Sequence, residues 1–222
     1  MTRTTKNVLI IGDLHEPFCL DEYLDFNRKL AKKYNCKEII FIGDILDGHA
    51  WSYHEHSPDG MSPGDELSSA ISRLQRWYKA FPKAKVLYGN HDLLISRKAI
   101  TAGLSRHFLK DFGTIIAAPK KWEFYDRLVI GDIQFIHGSI GNAIKRAKET
   151  RMSTVQGHLH SQSFIEWSVS EKDKIFGMQI GCGIDRHAYS FHYGRDFPKK
   201  PVIGSGVILE NGRLPIIELM DL

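Results

Sequence analysis

The sequence predicts an α/β fold: a four-layer α-β-β-α sandwich with two mixed β-sheets and a polar site at the carboxyl ends of the strands. Three observations predict it. The first 90 residues alternate strand, helix, strand, helix, strand, the pattern of parallel strands joined by crossover helices. Each of these strands stops at a glycine followed by a polar cluster, and open α/β sheets bind ligands beyond their strand carboxyl ends. The second half changes to paired strand-like runs around turn dipeptides, so the second sheet is expected to be mostly antiparallel.

Val8-Leu9-Ile10-Ile11 is a short apolar run ending at Gly12, the mark of a buried strand. Residues 21–34 read as a helix, with Tyr23, Phe26, Leu30 and Tyr34 on one stripe and basic residues in the last turns. Residues 39–42 form a second buried strand, stopped by Gly43. Ser62-Pro63 opens a helix as N-cap and first residue. Leu67, Ala70, Ile71, Leu74, Tyr78 and Phe81 carry it at a 3.6 period. Residues 85–88 are a third strand before Gly89. Residues 122–129 and 133–137 flank Gly131-Asp132, a hairpin signal; residues 163–169 and 175–180 flank a polar turn. Residues 202–210 and 214–219 flank Asn211-Gly212, the strongest short hairpin signal of the chain. A helix over 142–151 lies among them. No linker or repeat divides the chain, so one domain spanning 1–222, without a separate cap domain, is expected.

Composition excludes several classes. With 42% hydrophobic and 25% charged residues, the 222-residue chain has enough apolar content for a single core. No apolar run approaches the ~20 residues of a membrane helix, and no signal peptide is evident. Cys19, Cys36 and Cys182 are too far apart for a disulfide framework or a C-x-x-C metal site. A cytoplasmic protein without a membrane partner is expected. A net charge of +4 permits an anionic substrate without demanding nucleic acid. The unusual count is 11 histidines.

Their placement carries the functional reading. The clusters are Gly12-Asp13-Leu14-His15, Gly43-Asp44-Ile45-Leu46-Asp47-Gly48, Gly89-Asn90-His91-Asp92, His137-Gly138 and Gly157-His158-Leu159-His160. Taken singly, each residue reads as a turn former or helix cap. Asp13/His15 and His158/His160 are i, i+2 pairs, which extended backbone points to one side. Seven candidate ligands result: Asp13, His15, Asp44, Asn90, His137, His158 and His160. Aspartate, histidine and an amide oxygen suit divalent Mn, Fe, Zn, Co or Ni better than calcium. Seven ligands are too many for one catalytic ion with an open position and right for two ions sharing a carboxylate.

These clusters resemble the calcineurin-like metallophosphoesterase superfamily, whose pattern is D-x-H, GD-x-x-D, GNH-D/E, a lone H and GH-x-H, in that order. All five elements stand in order between residues 12 and 160. The resemblance implies two divalent ions, manganese first, with Fe, Zn, Ni or Co as alternatives. It assigns Asp13, His15, Asp44 and His160 to the first ion. Asp44, Asn90, His137 and His158 go to the second, with Asp44 bridging. His91 is then the catalytic histidine facing the phosphate, with Asp47, ahead of Asp92, as the carboxylate that orients it. The implied function is a two-metal phosphoester hydrolase using a metal-activated hydroxide. Gly48 follows Asp47 where the superfamily's protein phosphatases carry an arginine. The reading therefore favours a phosphodiesterase acting on nucleotides or nucleic acid, small nucleases included. A small-molecule or protein phosphomonoesterase and an inactive metal-binding scaffold are the alternatives. Two aromatic, histidine-rich loops, 49–56 and 181–200, are the expected substrate readers. Asn90, Trp51, Arg186 and Tyr193 are the candidate substrate contacts.

Overall fold

The apolar run at the start of the chain forms β1 (Val8–Ile11), buried on both faces. After α1 (Tyr23–Lys33) comes β2 (Glu38–Phe41), and after α2 (Pro63–Ala80) comes β3 (Ala84–Leu87). The chain continues through α3 (Leu94–Thr101), α4 (Phe112–Ile115), β4 (Trp122–Tyr125), β5 (Leu128–Ile130) and β6 (Ile133–Ile136). It ends with α5 (Ala143–Thr150), β7 (Ser153–Gln156), β8 (Phe164–Val169), β9 (Lys174–Gln179), β10 (Gly204–Leu209) and β11 (Leu214–Leu219). The structure, a computed structural model, describes residues 6–54, 56, 59–188 and 198–221.

The first sheet has the order β11-β10-β1-β2-β3-β4, with β1 to β4 parallel and the β10–β11 hairpin antiparallel on β1. The second has the order β5-β6-β7-β9-β8, parallel in its centre and antiparallel at both edges. Strand alternation divides the core between two interfaces. Leu9, Ile11, Phe41 and Val86 pack under α1 and α2 against Tyr23, Leu74 and Trp77. Val8, Ile10, Ile40 and Ile42 face Phe135, Val155, Phe176 and Met178 of the second sheet. Because both faces are covered, the strands read as unbroken apolar runs. Ile144 and Ala147 of α5 cover the far side of the second sheet with Ile175. The four layers are those expected. Among the described residues, no helix is long and apolar enough to cross a membrane.

The details depart from expectation in four places. Residues 122–129 are two strands, not one: β4 closes the first sheet and β5 opens the second. The hairpin of β10 and β11 joins the first sheet, where β1 offers an open edge, and the second sheet, mixed as expected, is parallel at its centre where mostly antiparallel pairing was expected. Helices α3 and α4 and strand β7 carry too little periodicity to be read. In α2 the buried stripe is Glu66, Ala70, Leu74, Trp77 and Tyr78, so Leu67 sits at its margin. The expected cap stands: the Ser62 side chain accepts from the Asp65 N–H.

One buried acid fastens the loop after β1. Glu16 is fully buried and accepts from Arg73 Nε at 2.6 Å, Arg76 Nη2 at 3.3 Å and Trp77 Nε1 at 3.0 Å. Its backbone pairs with Ile45 and Asp47 in the loop after β2. Glu16 thus ties two site-bearing loops to α2. Removing one partner of a buried ion pair typically costs 3–5 kcal/mol. Here both arginines are partly exposed and keep Asp21, so Glu16→Ala should cost about 2–3 kcal/mol. Urea unfolding of the metal-free protein measures this; a change under ~0.5 kcal/mol, the ordinary scale of surface substitutions, would remove Glu16 from this role.

Candidate metal centre

The loops that follow β1, β2, β3, β6 and β7 meet at one end of the sandwich, because these strands run parallel within each sheet. They bring together two groups of side chains that share Asp44, with a third beside them. In one, the ligand atoms of Asp13, His15, Asp44 and His160 lie within 4.8 Å of one another; in the other, those of Asp44, His137 and His158 do; the third is His15, Asp47 and His91. Asn90 joins the second group, its Oδ1 3.0 Å from His137 Nε2. Asp44 is common to both: its Oδ2 lies 3.1 Å from His137 Nε2 and 3.6 Å from His15 Nε2.

Extended i, i+2 geometry does not produce this convergence. His15 (φ 53°), Asp44 (φ 46°) and His158 (φ 69°) are all left-handed, a conformation that costs a non-glycine residue about 1–3 kcal/mol. Local contacts hold it. The Leu14 and His15 N–H groups donate to the Asp44 carbonyl, the His158 N–H to Asp13 Oδ2, and the His91 N–H to Asp44 Oδ1. A Cβ on Gly89 would lie 2.0 Å from Asp44 Oδ1, so only glycine leaves room for the shared carboxylate.

The site concentrates acceptors. Asp13, Asp44, Asp47 and Asp92 are all buried. Asp92 accepts from the N–H groups of Ile45, Leu46 and Gly89, knitting two of the loops together. Asp13 Oδ1 is buried with no hydrogen-bond partner among the described residues. His137 Nδ1 lies 3.1 Å from the Ile42 carbonyl, while its Nε2 faces Asp44 Oδ2 and Asn90 Oδ1. Acceptors surround both nitrogens, so without a metal only the imidazolium satisfies them. Burial opposes that charge, but Asp44 and Asp13 outweigh it and push His137 up to about 10. Burial likewise opposes ionisation of Asp13 and Asp44, yet the neighbouring histidines hold both below the ordinary carboxylate value. Burial lowers both His15 and His158 from the ordinary histidine value. The orphaned Asp13 oxygen and the converging lone pairs are what divalent cations would satisfy. The nitrogen and oxygen donors, without thiolate, fit Mn, Fe, Zn, Co or Ni.

Two expected contacts differ. The Asp47 carboxylate reaches His15, Nδ1 to Oδ1 at 2.7 Å, and it is the Asp47 carbonyl that receives His91 Nδ1. Trp51 is half-buried against the first core, and a Cβ on Gly48 would lie 2.8 Å from its Nε1. The ring therefore packs its own loop. Arg186 is exposed, its Nε 3.3 Å from His187 Nε2. Tyr193 lies outside the described residues. Cys182 is a buried filler, its thiol pushed up by burial.

Glu66 was missed by the sequence reading. It is fully buried, accepts from the Ala50 N–H at 2.8 Å, and is raised to about 7 by burial. An acid in register with Ala70 and Leu74 was the available signal. A cavity of about 940 Å³ opens at the opposite ends of the strands, lined by Val8, Ile133 and Lys174, and includes none of the candidate ligands.

Comparison with known proteins gives this arrangement its family. The family model described as calcineurin-like phosphoesterase matches residues 6–197. The chain belongs to that family. Its members are generally metal-dependent phosphoesterases, which agrees with the two groups of candidate ligands. No curated protein matches the chain in sequence. Among solved structures, an archaeal phosphodiesterase is 13% identical, with a TM-score of 0.52 over 96% of this chain and 99% of that one. Vps29 from Chaetomium thermophilum is also 13% identical, with a TM-score of 0.42 over 97% of each chain. The nuclease MPE of Pseudomonas putida is 11% identical, with a TM-score of 0.37 over 96% of this chain and 86% of that one. At these identities the likeness speaks for the fold, and only the first passes a TM-score of 0.5.

A thermodynamic prediction follows from His137. Its raised value means that the folded, metal-free protein holds this proton at pH 7.5, whereas a metal ligand must be neutral. The stabilising charge is complete below the ordinary histidine value of 6.5 and is lost as pH rises through about 10. Manganese binding at pH 7.5 should therefore release about one proton at this group. Calorimetric titration in two buffers of different ionisation enthalpy gives the number; zero release would contradict the geometry.

Proposed function

We propose that the chain is a two-metal phosphodiesterase acting on nucleotides or nucleic acid. The observation that carries this reading is the Asp44 carboxylate shared by two ligand groups, with His91 fastened beside it. When bound, two divalent ions would neutralise charge on the phosphoryl group and lower the pKa of the attacking water. Asp13, His15, Asp44 and His160 would hold one ion; Asp44, Asn90, His137 and His158 the other. The Asp47 carboxylate orients His15 through Nδ1 and leaves Nε2 as the ligand atom.

His91 supports the chemistry of the leaving group. Its Nδ1 donates to the Asp47 carbonyl, which leaves the Nε2 proton as the one to give. Burial opposes its charge, but Asp44 and Asp47 raise it above the ordinary histidine value. The imidazolium can then protonate a departing oxygen at Nε2 and remain hydrogen-bonded through Nδ1. A preference for diesters is supported at residue 48. Gly48 is left-handed (φ 69°), and any side chain there would meet Trp51 and Leu94. An arginine clamp for a phosphate dianion therefore has no room behind Asp47.

The test compares bis(p-nitrophenyl) phosphate with p-nitrophenyl phosphate on manganese-loaded protein, and the diester should be hydrolysed faster. His91→Asn should keep both metal equivalents and lower kcat by about 10²–10⁴. A strong monoester preference would move the reading to a phosphomonoesterase. A fully loaded protein inactive on both would favour the scaffold. Loss of metal in His91→Asn would make His91 a ligand.

A further inference from the structure

A side groove of about 350 Å³ opens next to the second ligand group. It is lined by Tyr88 and Leu93, on either side of the Gly89–Asp92 loop, by His137 and Gly138, and by Arg127 and Arg146. The groove thus begins at the loop that carries Asn90 and His91.

Neither guanidinium is held at hydrogen-bond distance by a carboxylate among the described residues. Arg127 Nη2 meets only the Met152 sulfur, at 3.8 Å, and no carboxylate lies within 4 Å of it among the described residues. Arg146 has a long 3.6 Å contact to Glu149, both side chains exposed by more than a third. Other basic side chains nearby are engaged: Arg151 grips Asp173 through both carboxylate oxygens, and Lys148 meets Glu166 at 3.1 Å. Asp126 also lines the groove, one carboxylate beside the two arginines. The Tyr88 ring is held by stacking on Phe124, with Phe112 at its edge, and is itself half-buried. A guanidinium fork matches phosphate oxygens in pairs, and a rigid aromatic wall suits a base. The volume is at the lower end for ligand pockets: room for one nucleotide unit and too little for a duplex.

We propose that this groove binds the nucleotide next to the scissile phosphate of a single-stranded oligonucleotide, with Arg127 and Arg146 holding its phosphate. The proposal rests on the phosphodiesterase reading and narrows its substrate class. It also supplies a phosphate grip that residue 48 cannot, on a neighbouring phosphate and not the scissile one.

The experiment compares an oligothymidylate with bis(p-nitrophenyl) phosphate, which has no second phosphate. Arg127→Ala and Arg146→Ala should each raise KM for the oligomer about tenfold and leave its kcat and the hydrolysis of the small diester unchanged. Fluorescence anisotropy with a labelled oligothymidylate, run in the absence of turnover, should show the same loss. The salt slope should fall by about 0.7 per arginine removed. Lys29→Ala, an exposed change on α1, is the control and should leave the affinity as it is. Unchanged oligomer binding would overturn the proposal, as would a parallel loss on the small diester, which would make the arginines structural. If the small diester is not hydrolysed at all, the phosphodiesterase reading fails, and the anisotropy arm still decides whether the groove holds the strand.

Discussion

The structure depends on one electrostatic constraint: four buried aspartates have to share one end of the molecule. Asp13, Asp44, Asp47 and Asp92 are each almost fully covered, and burying carboxylates without partners is costly. Each is answered differently. Asp92 takes three backbone N–H groups, Asp47 takes the His15 ring, and Asp44 and Asp13 lie among histidines. Asp13 keeps one oxygen without a partner among the described residues. The left-handed residues and the glycine contacts seat these carboxylates.

The fold makes the constraint bearable. Parallel strands deliver five loops to the same end, and the core beneath is apolar on both sides of the first sheet. Glu16 then ties the first two loops to α2, and Glu66 ties the segment after Asp47 to the same helix. Two acids that belong to no ligand group thus set the positions of residues that do. A long helix with a well-formed Ser62 cap is a stiff anchor for both.

The residues of the centre were largely legible in the sequence, since each cluster stands at the end of an apolar run, all but His137 behind a glycine. Their contacts were not. Asp47 was readable as a partner for a histidine, but its carboxylate goes to His15 and its carbonyl to His91; both rings are close to it in space, 32 and 44 residues away in the chain. Arg146 lies on the helix expected over 142–151, and Arg127 carried no signal at all. They become a pair only because the β4–β5 turn and α5 border the same groove.

The sequence by itself determined the layers, the order of the site-bearing loops and the residues offered to a metal. These follow from local pattern: apolar runs of strand length, glycine stops and polar residues directly after them. The tertiary structure alone decided which sheet each late strand joins, because β4 and β5 are separated by two residues and differ only in the edge they find. It also decided which carboxylate is shared. Asp44 holds that place because a left-handed turn and the bare backbone of Gly89 let one carboxylate stand between two groups of histidines, and no spacing along the chain encodes a contact between loops that distant.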